Sequence, residues 1–187
     1  VRYAELLHVL RAAADHLGQA DFLVIGSASV LATHREEDLP DEATRSDEAD
    51  LVPFDDPEGT KADALDGALG ELSLFHDTHT YYAHGVSERT AYLPHGWQTR
   101  LVIVDAPSTL TPARGHCLEP HDLAASKIIL PRDKDEEFVF ALLDRGLLDP
   151  DALAERLDLL PRDRVPAREL ALGHRRLRAW RERADRH

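Results

Sequence analysis

The sequence predicts an α+β fold, a mixed β-sheet flanked by helices with a helical C-terminal region. Two observations carry this prediction. Strand-like runs fall in the first part of the chain, and from Glu119 onward the pattern is almost all helical. A chain of 187 residues with 43% hydrophobic content is long enough to bury one core. The expected division is an α/β core over 1–115 and a helical region over 116–187, packed on the core and ending in an Arg-rich helix. No internal repeat or low-complexity tract interrupts this order.

Tyr3 to Gly18 opens the chain as an amphipathic helix, with Leu6, Leu7, Leu10, Ala13, Ala14 and Leu17 at helical spacing and Gly18 as a natural stop. Phe22 to Ile25 is a short apolar run with β-branched members, ended by Gly26-Ser27 and followed by the helix-prone Ala28 to Ala32. It reads as strand, tight turn, helix. The acid-rich stretch His34 to Ala43, with Pro40, is expected to be an exposed loop leading to a second strand over about Ser46 to Phe54. After a turn at Asp55 to Gly59, Leu65, Ala68, Leu69 and Leu72 mark a helix to about Leu74. Tyr81–Ala83, Thr90–Leu93 and Arg100–Val104 are short strand candidates, punctuated by Gly85 and by Pro94 to Gly96. Four helices complete the chain: His121–Leu130, Asp133–Arg145, Pro150–Leu159 and Pro166 to about Ala184.

The net charge of -13 opposes binding to a nucleic-acid backbone, but it is unevenly spread. Residues 161–187 hold nine arginines against four acids, so residues 1–160 carry -18. Such a tail reads either as a solvated helix face or as a docking surface for RNA or an acidic partner. No apolar run approaches the roughly 20 residues of a membrane helix. The first ten residues carry no secretory-signal pattern, and the single cysteine, Cys117, forbids an intrachain disulfide. A cytoplasmic location without membrane contact is expected.

The chemistry-bearing residues lie in two places. Gly26 lets backbone amides approach a ligand, and Ser27 begins a helix whose N-terminus favours anions; taken alone, the pair is more simply an ordinary turn with a serine cap, and it needs a partner. In Ser46-Asp47-Glu48-Ala49-Asp50-Leu51, alternation along a strand sends Glu48 and Asp50 to one face and Ala49 and Leu51 to the core. Paired carboxylates repel unless a cation neutralises them, and they suit Mg²⁺ or Mn²⁺ with substrate phosphates completing the shell. The bland alternative is an exposed strand with acidic outward positions.

Gly26-Ser27 followed by Glu48-x-Asp50 resembles the nucleotidyltransferase superfamily, which places a Gly-Ser turn at a helix start and then an acid-x-acid strand. The segments Asp66 to Ser73, Leu93 to Trp97 through Val102, and Cys117 to Leu123 through Lys127 resemble an uncharacterised bacterial nucleotidyltransferase-like family related to the abortive-infection toxins. The likeness covers roughly residues 20–150. It implies that Gly26 and Ser27 hold a nucleoside triphosphate and that Glu48 and Asp50 bind the metal. It also implies that Lys127, with Lys134 beyond it, is the basic element set against the nucleotide, although an ion-pair network around Lys134 is the plainer reading. The implied acceptor is a hydroxyl on RNA, protein or a small molecule, and kinship with toxins implies an antitoxin partner. The superfamily's third carboxylate has Asp105 as its nearest candidate by position, unless Asp105-Ala106-Pro107 is simply a turn. Without a third acid the domain reads as a silent module that binds a nucleotide or a protein.

Other chemistries lack support. His76, His79 and His84 around Asp77 do not have the spacing of a zinc site. His116-Cys117 is not a nucleophile–base arrangement, and there is neither a Gly-x-Ser-x-Gly elbow nor a dinucleotide or Walker motif.

Overall fold

The computed structural model describes residues 1–186. Helix α1 spans Tyr3–Leu17, buries Leu6, Val9, Leu10, Ala13 and Ala14, and ends at Gly18 in the left-handed conformation (φ 62°), as the spacing predicts. Strand β1 (Asp21–Val24) leads through Gly26 into a 3₁₀ helix over Ser27–Ala32. The acidic stretch after it holds a 3₁₀ turn (Glu36–Asp38) and a short helix α2 (Asp41–Thr44), which buries Ala43. It is therefore not the fully exposed loop expected, because Leu39 and Ala43 join the core. Strand β2 follows over Glu48–Pro53.

Helix α3 (Thr60–Leu69) stops five residues earlier than its apolar spacing suggests. The stop falls at Gly70, where an added β-carbon would stand 2.4 Å from the Asp66 carbonyl oxygen. A second helix, α4 (Leu74–His79), then starts with the Ser73 hydroxyl accepting the His76 amide. Strand β3 covers Tyr82–Gly85 and β4 covers Val102–Ala106. The strand expected over Thr90–Leu93 does not form. Ser87 caps a 3₁₀ turn over Glu88–Thr90, and the following Pro94 has no amide for a ladder. Strand β5, Ala113–Cys117, was not expected, since Arg114, Gly115 and His116 dilute its strand character. Tertiary packing decides it: a β-carbon at Gly115 would come within 3.0 Å of the Leu10 side chain.

The five strands form one mixed sheet in the order β3-β2-β1-β5-β4. β1 is antiparallel to β2 and parallel to β5, β2 is parallel to β3, and β4 is antiparallel to β5. This is the α+β architecture the sequence predicts. Helices α5 (Pro120–Ile128), α6 (Asp133–Asp144), α7 (Pro150–Asp158) and α8 (Ala167–Ala184) follow. α5 is their hub, with Leu123, Ala124, Ala125 and Ile128 fully buried in the same core as the sheet residues Leu23, Val24 and Leu51. None of the helices among the described residues is long and apolar enough to cross a membrane.

Asp122 of α5 has no solvent exposure and is gripped by Arg100 through Nε (2.8 Å) and Nη2 (2.9 Å), with Arg156 of α7 at 3.1 Å. A buried carboxylate is tolerated only when paired in this way. Glu119, the residue before α5, accepts the amides of His121 (3.1 Å) and Asp122 (3.3 Å). The His121 ring bonds the Glu119 carboxylate through Nδ1 (2.6 Å) and accepts the Asp149 amide at Nε2 (2.9 Å), which ties the starts of α5 and α7 together.

Candidate active site

Alternation along β2 works as predicted: Ala49 and Leu51 are fully buried, while Glu48 and Asp50 keep partial exposure on the opposite side. The parallel register with β3 then sets Tyr82 beside Glu48 and His84 beside Asp50. The Tyr82 hydroxyl donates to Glu48 Oε2 (3.3 Å), and His84 Nδ1 lies 3.0 Å from Asp50 Oδ1. One ligand atom each from Glu48, Asp50 and His84 falls within 4.8 Å of the others.

β3 is held in place by α3. The Gly85 amide donates to Asp66 Oδ1 (2.7 Å), and a β-carbon on Gly85 would stand 2.1 Å from the Ala62 carbonyl oxygen. The strand thus lies directly on the helix, and His84 has little freedom in register. On the other flank, the Ile25 amide donates to the Asp50 carbonyl (3.2 Å), which brings the end of β1 level with Asp50. Gly26 is extended (φ -89°, ψ -171°), so its need for glycine is not conformational. It is spatial: a β-carbon there would lie 1.9 Å from Asp50 Oδ2.

A cleft of about 350 Å³ opens over this corner. Gly26, Glu48, Asp50 and His84 line it from the sheet, together with Lys127 from α5 and Arg132 and Lys134 at the start of α6. Lys127 Nζ bonds Asp135 (3.0 Å), whose side chain is 2% exposed, and lies over the Phe138 ring. Arg132 binds the other oxygen of the same carboxylate. Lys134 is exposed and makes no ion pair among the described residues, so the alternative of an ion-pair network around it is not met; Asp135 pairs with Lys127 and Arg132. Ser27 makes no capping bond with its side chain; it lines an adjoining hollow of about 190 Å³ with Ser46, Glu48, Lys127 and Lys134. The following helix is six residues of 3₁₀, so the dipole expected at Ser27 is that of a short turn.

Charge is strained on the acidic side. Burial raises the pKa of the Asp50 carboxyl above the usual value and the Glu48 charge adds to this, while His84 and Lys127 pull in the opposite direction. Burial and the adjacent Glu48 charge push the Tyr82 phenol up to about 12, so it stays a donor. Two carboxylates and an imidazole converging on one point form a donor set that could hold a divalent cation.

Asp105 is not brought here. It lies on β4, at the far edge of the sheet from β3, in register with Arg114, which itself pairs with Asp21 at the opposite end of β1 from Gly26. Its side chain is 76% exposed and bonds Arg114 Nε at 3.3 Å. The position beside Asp50 belongs to His84, which sequence spacing grouped with His76 and His79. Those two lie elsewhere on α4: His76 accepts the Leu72 amide and stacks on Tyr82, and His79 packs among His8, Phe75 and Tyr81. Only the β2–β3 register could have revealed His84.

The family model for nucleotidyltransferases of unknown function (DUF6036) matches residues 3–162, from α1 through α7. The chain belongs to this family. No curated protein and no solved structure matches it. The matched region contains every residue lining the cleft, and α8 lies outside it.

The arginines of α8 are partly committed to packing. Arg176 is 9% exposed, donates to the carbonyls of Ile128 (3.1 Å) and Leu130, and pairs with Glu136 (2.9 Å). Arg181 pairs with Asp151 (2.7 Å) and Arg183 with Asp144 (2.9 Å). Arg175 and Arg178 are exposed and make no ion pair among the described residues.

Proposed function

We propose that this protein moves a nucleoside monophosphate from a nucleoside triphosphate to a hydroxyl acceptor, in a reaction that depends on Mg²⁺ or Mn²⁺ bound at Glu48 and Asp50. The supporting observation is the cleft itself, lined by two carboxylates of β2 and by Lys127, Arg132 and Lys134 of the helical half. A nucleoside triphosphate needs both a cation bridge and basic partners along its phosphates. The cleft offers each within reach of the other.

In this reading Glu48 and Asp50 anchor the cation, Tyr82 orients Glu48, and Gly26 with Ser27 borders the phosphate chain. Lys127, positioned by Asp135, and the freer Lys134 neutralise the pyrophosphate as it leaves. The acceptor oxygen bonds to the α-phosphorus in line as the bond to the bridging oxygen of pyrophosphate breaks, and the hydroxyl proton passes to water in the open cleft. A bound divalent ion supplies positive charge at the reacting phosphate and the leaving oxygens.

The acceptor belongs to RNA, protein or a small molecule. A defence role with an antitoxin partner, in the cytoplasm, extends the resemblance to abortive-infection toxins. One specific observation favours a second reading, a silent nucleotide-binding module: a histidine, not a carboxylate, stands beside Asp50.

The test is incubation with each labelled triphosphate, Mn²⁺ or Mg²⁺, and pooled transfer-RNA and protein acceptors. Label transfer by the wild type and its loss in Asp50→Asn support transfer. No transfer, combined with stabilisation by metal and triphosphate, supports the silent module.

A further inference from the structure

Two oxygen donors and one nitrogen donor meet at the end of β2. Magnesium is a hard cation that takes oxygen ligands and gives up water reluctantly, whereas first-row transition ions accept imidazole readily. The nature of the third donor therefore bears on which ion the site keeps.

The geometry points to His84 as a nitrogen ligand that makes this a site for a first-row transition ion in preference to Mg²⁺. This inference rests on the metal-dependent reading above and deepens it. Three features support it. His84 Nδ1 is 3.0 Å from Asp50 Oδ1, close to the ~3 Å that separates two neighbouring donors on an octahedral ion with bonds of about 2.1 Å. Little movement would let a cation replace the proton between them. The backbone that carries the imidazole is fixed in register, because β3 is pressed on α3 at Gly85 and bonded to Asp66. The competing cations, Lys127 and Arg132, are already held by Asp135, and neither forms an ion pair with Asp50.

Mn²⁺ stands lowest in affinity among the divalent first-row ions, so a preference for Mn²⁺ over Mg²⁺ is the stringent form of the claim. The experiment uses the 187-residue chain stripped with a chelator and no nucleotide. Mn²⁺ binding is followed by loss of the free-ion electron paramagnetic resonance signal, Mg²⁺ by competition, and the bound ion by pulsed detection of nitrogen coupling. Wild type should bind Mn²⁺ at least about tenfold more tightly than Mg²⁺ and show coupling to one imidazole nitrogen. His84→Ala should lose that coupling and at least about tenfold in Mn²⁺ affinity, in line with the 10–100-fold cost of disturbing metal-site partners. His84→Asp should keep a bound ion, lose the coupling and move the preference toward Mg²⁺. Bound Mn²⁺ without nitrogen coupling, a metal preference unchanged in His84→Asp, or no Mn²⁺ binding at millimolar concentration would each overturn the assignment. Because no triphosphate is present, a failed label-transfer assay leaves this result standing, and the two failures are distinguishable.

Discussion

The carboxylate of Asp50 occupies the space where a side chain on Gly26 would begin, with Oδ2 1.9 Å and Cγ 2.8 Å from the position of a β-carbon there. The glycine of the Gly-Ser turn is thus required by the acid of the neighbouring strand, whatever else it offers a phosphate.

Gly26→Ala should therefore act through Asp50. The carboxylate must rotate away or the strands must part, at a cost of about 1–3 kcal/mol for a methyl group forced into packed space. Metal-induced stabilisation, measured as the shift in Tm with Mn²⁺, should fall to the level of Asp50→Asn. A variant that keeps the full metal response would show that Asp50 is not confined by Gly26.

Asp50→Asn should make the metal-free protein more stable. Burial and Glu48 raise the folded-state pKa of Asp50, so the folded protein holds this proton more tightly than the unfolded chain does. Stability then decreases as pH rises from the ordinary carboxylate value through the raised one, and at neutral pH the ionised group is a net cost. Removing the charge should recover about 1 kcal/mol, the usual scale of a functional residue's burden on stability, and should remove the metal response. Urea denaturation at pH 7 with chelator decides the matter. A destabilised variant would contradict the assignment of charge strain at this corner.

Glu119→Ala should lose an N-cap of α5 worth about 1 kcal/mol, together with the link through His121 to Asp149. Burial opposes the Glu119 charge, but the His121 ring and the amides of His121 and Asp122 outweigh it and hold the carboxyl below its usual range. A depressed carboxylate stabilises above its unfolded pKa, and the contribution is lost as pH falls through the folded one. The gap between wild type and Glu119→Ala in urea denaturation should accordingly narrow under acid. Constancy of that gap from neutral to strongly acidic pH would remove the carboxylate from the account.

Arg176→Ala should destabilise by about 2–3 kcal/mol. It strands the carbonyls of Ile128 and Leu130 at the end of α5 and leaves Glu136 without its partner. Arg175→Ala and Arg178→Ala, at exposed positions, should stay within about 0.5 kcal/mol of wild type. Equal effects at all three positions would mean that the arginines of α8 act together rather than by individual contact.

Much of this fold was legible because its signals are local. The period of α1, the glycine that ends it, the two-residue alternation of β2 and the helical pattern after Glu119 each depend on neighbours a few residues apart. The segments resembling a known family turn out to carry scaffold as well as site. Arg100 reaches Asp122, the His95 amide donates to the Leu159 carbonyl, and Glu119 starts the helix that presents Lys127. β5 was missed because its strand character comes from lying between β1 and β4, and Asp105 was proposed because it stands on a later strand, whose place in the sheet the chain alone does not give.

The sequence by itself determined α1, β1, β2, the helical second half and which way Glu48 and Asp50 face, since helical period and strand alternation are properties of adjacent residues. Only the tertiary structure decided what those carboxylates meet. Strand order and register join residues far apart in the chain, and it is the parallel pairing of β2 with β3 that puts His84, and the antiparallel pairing with β1 that puts Gly26, against Asp50.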